Sequence, residues 1–153
     1  MTFDPNKQLS PHFKLFEFVI SETGERKGID NTPTDEIVGR LRTLCLSILE
    51  PARVQLGPLH INSGYRSPAL NAAIGGSSSS AHMIGYAADV VPIDTTKLAF
   101  AKWVKTHCTF DQIILEFGTV TEPSWIHVSA DPRARGEVRR KLANTGYELI
   151  QLG

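Results

Sequence analysis

Histidine and carboxylate side chains carry the most visible chemistry in this chain. Five histidines are present: His12, His60, His82, His107 and His127. Two of them have a chemical context. His82 lies in Ser80-Ala81-His82-Met83-Ile84-Gly85-Tyr86-Ala87-Ala88-Asp89, directly after the flexible run Gly75-Gly76-Ser77-Ser78-Ser79-Ser80. The residues between His82 and Asp89 are mostly small, and Gly85 permits a tight turn. Such a turn swings His82 back beside a strand carrying Asp89. His127 sits in Trp125-Ile126-His127-Val128-Ser129. Alternation sends Ile126 and Val128 to one face of that strand and Trp125, His127 and Ser129 to the other. Two imidazoles and a carboxylate make a three-donor set for zinc. Three protein ligands leave a fourth position open to water, the arrangement of a catalytic site. Spacing alone leaves another reading open, because a histidine in mid-strand is commonly a packed, hydrogen-bonded residue.

The elements that must position these groups are readable in outline. Thr32-Pro33-Thr34-Asp35 starts a helix, and Ile37, Val38, Leu41, Leu44, Cys45, Ile48 and Leu49 form its apolar stripe at steps of three and four. Pro51 is expected to kink or end it. Ser10-Pro11 reads as a cap and first helical position ahead of Phe13, Leu15, Phe16 and Val19. A strand over 59–63 is followed by the turn Gly64-Tyr65-Arg66, and Ser67-Pro68 opens a short helix stopped by Gly75-Gly76. Strands are expected over 86–91, 111–116 and 125–129, with a helix from about 96 to 106 capped by Asp94 or Thr95. Segments 138–142 and 147–152 are weaker strand candidates. Helices come early and most strands late, which predicts an α+β fold rather than a parallel βαβ array.

Composition narrows the function. The 153 residues suit a single domain over 1–153, with an N-terminal arm over 1–9 and a less regular tail over 130–153. Lys plus Arg equals Asp plus Glu at 16 each, which removes the electrostatic argument for a nucleic-acid partner. No apolar run is long enough for a transmembrane helix. Cys45 and Cys108 are expected as buried thiols, since two cysteines make no disulfide framework. Arg133, Arg135, Arg139 and Arg140 make a basic tail, expected as a solvated face, with attraction to anionic cell-wall polymer as the alternative.

The residues also match a known family. Ser80-x-His82-x-x-Gly85-x-Ala87-x-Asp89 resembles the first zinc-binding motif of the zinc D-Ala-D-Ala carboxypeptidase family. That family includes phage L-alanyl-D-glutamate endopeptidases, and the hedgehog signalling domain shares its fold. Trp125-Ile126-His127-Val128-Ser129 resembles the second motif, and Asn62-Ser63-Gly64-Tyr65-Arg66-Ser67 resembles the segment with the active-site arginine. The resemblance spans roughly residues 10–129. It implies a small α+β domain with a central antiparallel sheet, helices on one side, and one zinc ion in a groove on the sheet, held by His82, Asp89 and His127. It implies hydrolysis of an amide bond in the peptide stem of peptidoglycan, as a D,D-carboxypeptidase or an L-alanyl-D-glutamate endopeptidase of the phage lysis type. The other reading is a non-catalytic, zinc-containing binding module of the hedgehog kind, for cell wall or a protein partner.

Many members carry an acidic residue three positions before the last histidine, where this chain has Ser124. Glu116 resembles the glutamate at the matching strand end of hedgehog-like members and is the expected base, with Glu122 as the alternative. Arg66 is expected to bind a substrate carboxylate or an oxyanion. Ser80, Tyr65 and Trp125 are expected to support the site or touch substrate. A monomer is expected. The polar N-terminus shows no signal-peptide core, so synthesis in the cytoplasm and later release to the wall, or carriage on a virion, is the expected route.

Overall fold

A computed structural model describes residues 3–153; Met1 and Thr2, the start of the expected N-terminal arm, lie outside the described residues. The apolar stripe builds a long helical rod. It comprises α3 (Asp35–Leu44), a π-helical segment (Cys45–Leu49) and α4 (Glu50–Leu56). Thr34 caps it, its hydroxyl accepting from the Ile37 N–H. Leu41, Leu44, Cys45, Ile48 and Leu49 are buried along one side. Pro51 does not end the rod, one of the two effects expected of it. The Glu50 N–H reaches back five residues to the Cys45 carbonyl. This widened turn places Pro51 in the first turn of α4, where a missing N–H costs least.

The N-terminal expectation also needs correcting. Residues 8–14 form a small antiparallel pair, β1 (Gln8–Ser10) with β2 (Phe13–Lys14), and the first helix, α1, begins only at Phe16 (Phe16–Val19). The Gln8 amide donates to the carbonyls of Ser10 and Pro11 and so closes a turn where the helix was expected. A second short helix, α2 (Glu22–Lys27), follows.

The main sheet has six strands in the order β3-β4-β6-β5-β7-β8. They are β3 (Leu59–Ser63), β4 (Ala87–Pro92), β5 (Gln112–Glu116), β6 (Trp125–Ser129), β7 (Glu137–Lys141) and β8 (Glu148–Leu149). The chain is thus α+β, and the sheet is antiparallel except for the parallel pair β5–β7. Between strands lie α5 (Pro68–Ala73), capped by Ser67, and α6 (Lys97–His107), capped by Thr96. Ala88, Val90, Ile113, Leu115, Ile126, Val128 and Val138 face the core, together with Phe100, Ala101 and Val104 of α6. Strand alternation leaves the opposite face for polar groups. Both cysteines are free; Cys45 is buried and Cys108 half-buried.

The tail is tied to the core by one buried carboxylate. Asp111 accepts from the Arg135 backbone N–H (3.0 Å), Nε (2.9 Å) and Nη2 (2.8 Å). Hydrogen bonding to Arg135 outweighs burial and holds the Asp111 carboxyl below the usual range. The unfolded chain therefore binds this proton more readily, so the stabilisation is complete above about pH 4 and is lost as pH falls toward the folded pKa. Asp111→Asn is expected to cost about 2 kcal/mol at pH 7, since the Arg135 left behind is exposed to water. Urea unfolding at pH 7 and pH 3 should show the gap to the parent closing at the lower pH. An equal gap at both would show that the charge is not its source.

Candidate metal centre

The site is built on the sheet face away from the core. Asp89 on β4 pairs directly with His127 on β6, which pairs with Ile114 on β5. Directly opposed residues share a face, so the carboxylate and imidazole emerge side by side. His82 arrives from outside the sheet, on a short 3-10 helix (Ala81–Ile84). Ser80 caps this helix, its hydroxyl accepting from the His82 N–H at 3.2 Å. Gly85 ends it at φ 84°, and a Cβ there would stand 3.1 Å from Ile37. Backbone conformation and space both ask for glycine, and this turn delivers the chain into β4.

Three donor atoms converge. His82 Nε2 is 3.2 Å from Asp89 Oδ1, His127 Nδ1 is 3.3 Å from the same oxygen, and the two nitrogens are 3.2 Å apart. Donors bound tetrahedrally to zinc at 2.0–2.1 Å stand about 3.3 Å from one another, so the triangle has the right size. Asp89 Oδ1 is buried and has no hydrogen-bond partner among the described residues, as expected of an atom whose partner is a cation. His82 Nδ1 lies 2.6 Å from the Gly64 carbonyl, which places the proton on Nδ1 and leaves the Nε2 lone pair facing the site.

The protonation states agree with metal binding. Burial pushes the His82 pKa down and favours the neutral ring. Burial alone would raise Asp89, but the two neighbouring imidazoles overcome it and keep the carboxylate ionised. A neutral imidazole and an anionic carboxylate are the forms that bind a metal ion.

Gly64 is a tight spot in this scaffold. A Cβ there would lie 2.7 Å from the backbone of Phe18. Gly64→Ala is expected to cost about 2 kcal/mol by overpacking. It also displaces the carbonyl that orients His82, which should weaken zinc binding about 10- to 100-fold. Competition against a chromophoric chelator measures this. Unchanged affinity in a destabilised variant would show that the carbonyl does not orient the ring.

The donors lie in a cleft of about 690 Å³ lined also by Arg66, Ser80, Gln112, Ile114, Glu116, Phe117, Trp125, Arg139 and Tyr147. Glu116, at the end of β5, is 9% exposed, and its Oε2 accepts from the Trp125 indole N–H at 2.5 Å. Burial pushes the Glu116 carboxyl up and the Asp89 charge adds to this, while His127, the indole and Arg66 oppose it. Arg66 follows β3; its Nη2 lies 3.4 Å from the Ser80 hydroxyl, and its Nε is buried without a hydrogen-bond partner among the described residues.

The residues singled out from the sequence therefore divide. His82, Asp89, His127, Glu116, Arg66, Ser80 and Trp125 all line this cleft. Tyr65 does not; it is packed in the core beside the site. Glu122 is exposed in the loop between β5 and β6 and does not line the cleft. His12 is bonded to Glu50, His107 stacks on Trp103, and His60 is exposed on β3. Sequence reasoning missed Gln112, Ile114, Phe117, Arg139 and Tyr147. Period-two alternation from Glu116 would have found Gln112 and Ile114, but Arg139 and Tyr147 depend on long-range pairing.

No curated protein matches the chain. The model of one family, described as Peptidase M15, matches residues 11–129, from the turn before β2 to the end of β6. Those bounds enclose all three candidate metal donors, Arg66 and Glu116. The chain therefore belongs to the peptidase M15 family.

Proposed function

We propose that this protein hydrolyses an amide bond in the peptide stem of bacterial peptidoglycan, with one zinc ion held by His82, Asp89 and His127. The supporting observation is the convergence of three metal donors with a buried carboxylate and a guanidinium in one cleft, in a chain of a peptidase family. When bound, the ion supplies a Lewis acid that polarises the reacting carbonyl and water.

The remaining roles belong to side chains. Trp125 holds Glu116 Oε2, so Oε1 is the atom that takes the proton from the attacking water. As the water oxygen bonds to the carbonyl carbon and the C–N bond breaks, Glu116 returns that proton to the departing amine. The raised pKa of this buried carboxyl suits an acid–base group that must hold a proton between the two transfers. Arg66, with an unpartnered Nε, binds the substrate's free carboxylate beside the reacting bond. Ser80 steadies both Arg66 and the turn carrying His82.

Both candidate bonds present that carboxylate. In a D-Ala-D-Ala terminus, and in an L-alanyl-D-glutamate bond with a γ-linked D-glutamate, the residue supplying the amine carries a free α-carboxylate. Mass spectrometry of purified muropeptides after incubation with the zinc-loaded protein distinguishes them. Loss of terminal D-Ala identifies the carboxypeptidase, and a new amine on D-glutamate identifies the endopeptidase. A chelator should abolish either product. Zinc-loaded protein that cleaves no muropeptide would instead support the binding-module reading.

A further inference from the structure

One wall of the cleft has no part in the chemistry above. It is made by β7 and the turn leading to β8, both beyond the residues that match the family. Because β7 runs parallel to β5, Arg139 pairs with Ile114. Ile114 pairs with His127, and His127 with Asp89, so these four residues form one row across the sheet. Arg139 thus lies on the same face as the metal donors and lines their cleft. Two strand spacings, about 10 Å, separate its backbone from that of His127, with Ile114 as the floor between. Arg66 comes from the other side, in the turn that follows β3. The strand order therefore puts one guanidinium on each flank of the donors.

The fold does not use up Arg139. Its Nη2 donates to Glu137 Oε2 at 3.2 Å, but Glu137 also accepts from Gln112 at 2.9 Å and lies 3.6 Å from Arg135. Arg139 Nε is buried with no hydrogen-bond partner among the described residues. Arg135, by contrast, spends its backbone N–H, Nε and Nη2 on Asp111. A buried cationic N–H without an acceptor is costly until one arrives, and a carboxylate is the acceptor whose geometry matches a guanidinium.

We propose that Arg139 is a second anion-binding residue of the cleft, selecting stem peptides with a further free carboxylate near the reacting bond. This rests on the peptidase reading above. An extended peptide advances about 3.3 Å per residue, so the roughly 10 Å between these backbones spans about three residues, and a group held at Arg139 belongs to a residue within about three positions of the bond. Substrate lying across the strands would pass Arg66, the donors, Ile114 and Arg139 in turn.

The test uses the whole 153-residue chain, loaded with zinc, and a diaminopimelate-containing pentapeptide stem. Three analogues of the stem each have one of its free carboxylates amidated. In the parent, amidating the carboxylate that Arg139 holds should raise KM about 10-fold. Arg139→Gln should raise KM similarly for the unmodified stem and make that one amidation silent. Arg139→Lys should recover part of the loss, since it keeps the charge without the planar fork. A purely structural role would leave every amidation penalty intact, so additive effects across all three analogues would overturn the proposal. Should Arg139→Gln not fold, the coupling is read on Arg139→Lys. If the parent cleaves none of the peptides, the peptidase reading fails. Calorimetric binding of the same peptides then decides Arg139 by the same coupling, and absence of binding overturns it too.

Discussion

Glu116→Gln is expected to cut hydrolysis about 100- to 10,000-fold while leaving zinc binding intact. The substitution keeps the size of the side chain, and the glutamine carbonyl can still accept from the Trp125 indole. What it removes is the ability to take a proton at Oε1 and return it to the amine. Because the scaffold is unchanged, the loss should fall on kcat rather than on KM. Glu122→Gln is the paired control; exposed in its loop and outside the cleft, it should be silent. Full activity in Glu116→Gln with zinc retained would exclude this base and point to a substrate-assisted proton path. The result also separates the two readings of the fold, since a binding module has no reason to depend on this carboxyl.

His127→Ala should have the other large effect, and through a different quantity. Removing one donor leaves an imidazole and a carboxylate. Zinc affinity should then fall by more than the roughly 100-fold that follows loss of an outer-shell partner. Hydrolysis should disappear with it. The fold should survive, because His127 faces the cleft while its neighbours Ile126 and Val128 fill the core. A ligand that binds only the folded state raises the melting temperature, so added zinc should stabilise the parent and not the variant. Equal zinc-induced shifts in both proteins would mean that the ion sits elsewhere, and the donor triangle would lose its assignment.

Much of this site was legible because its signals are local. The ten residues from Ser80 to Asp89 contain the cap, the donor, the αL glycine and the strand carrying the second donor. Alternation in Trp125–Ser129 put His127 opposite the core-facing Ile126 and Val128, and the strand lies where the pattern placed it. Ser67-Pro68 and the Thr34 cap acted where their chemistry requires. Misreadings arose where a local signal met a competing partner. Ser10-Pro11 has the form of a helix start, but Gln8 takes the carbonyls of that turn. Pro51 has the form of a helix stop, but the π-helical turn before it relieves the ladder. Tyr65 stands next to Arg66 in sequence, yet its side chain joins the core.

The amino-acid sequence by itself determined the three candidate metal donors, the turn that joins two of them, and the side of each strand that faces the core. These depend on neighbours within a few residues, where backbone periodicity leaves little choice. Only the tertiary structure decided what surrounds the donors. The Arg-rich tail read as a solvated face or as one attracting anionic polymer, and Arg133 and Arg135 are exposed. Yet Arg135 is also tied to buried Asp111, and Arg139 lies in the row of His127 and Asp89. That outcome depends on β7 pairing parallel with β5 in one register, across a connection that runs through another strand. A slip of one residue would turn Arg139 toward the core and Val138 toward the cleft. Burial of Val138 against the core forbids the slip, and that contact exists only once the sheet has assembled.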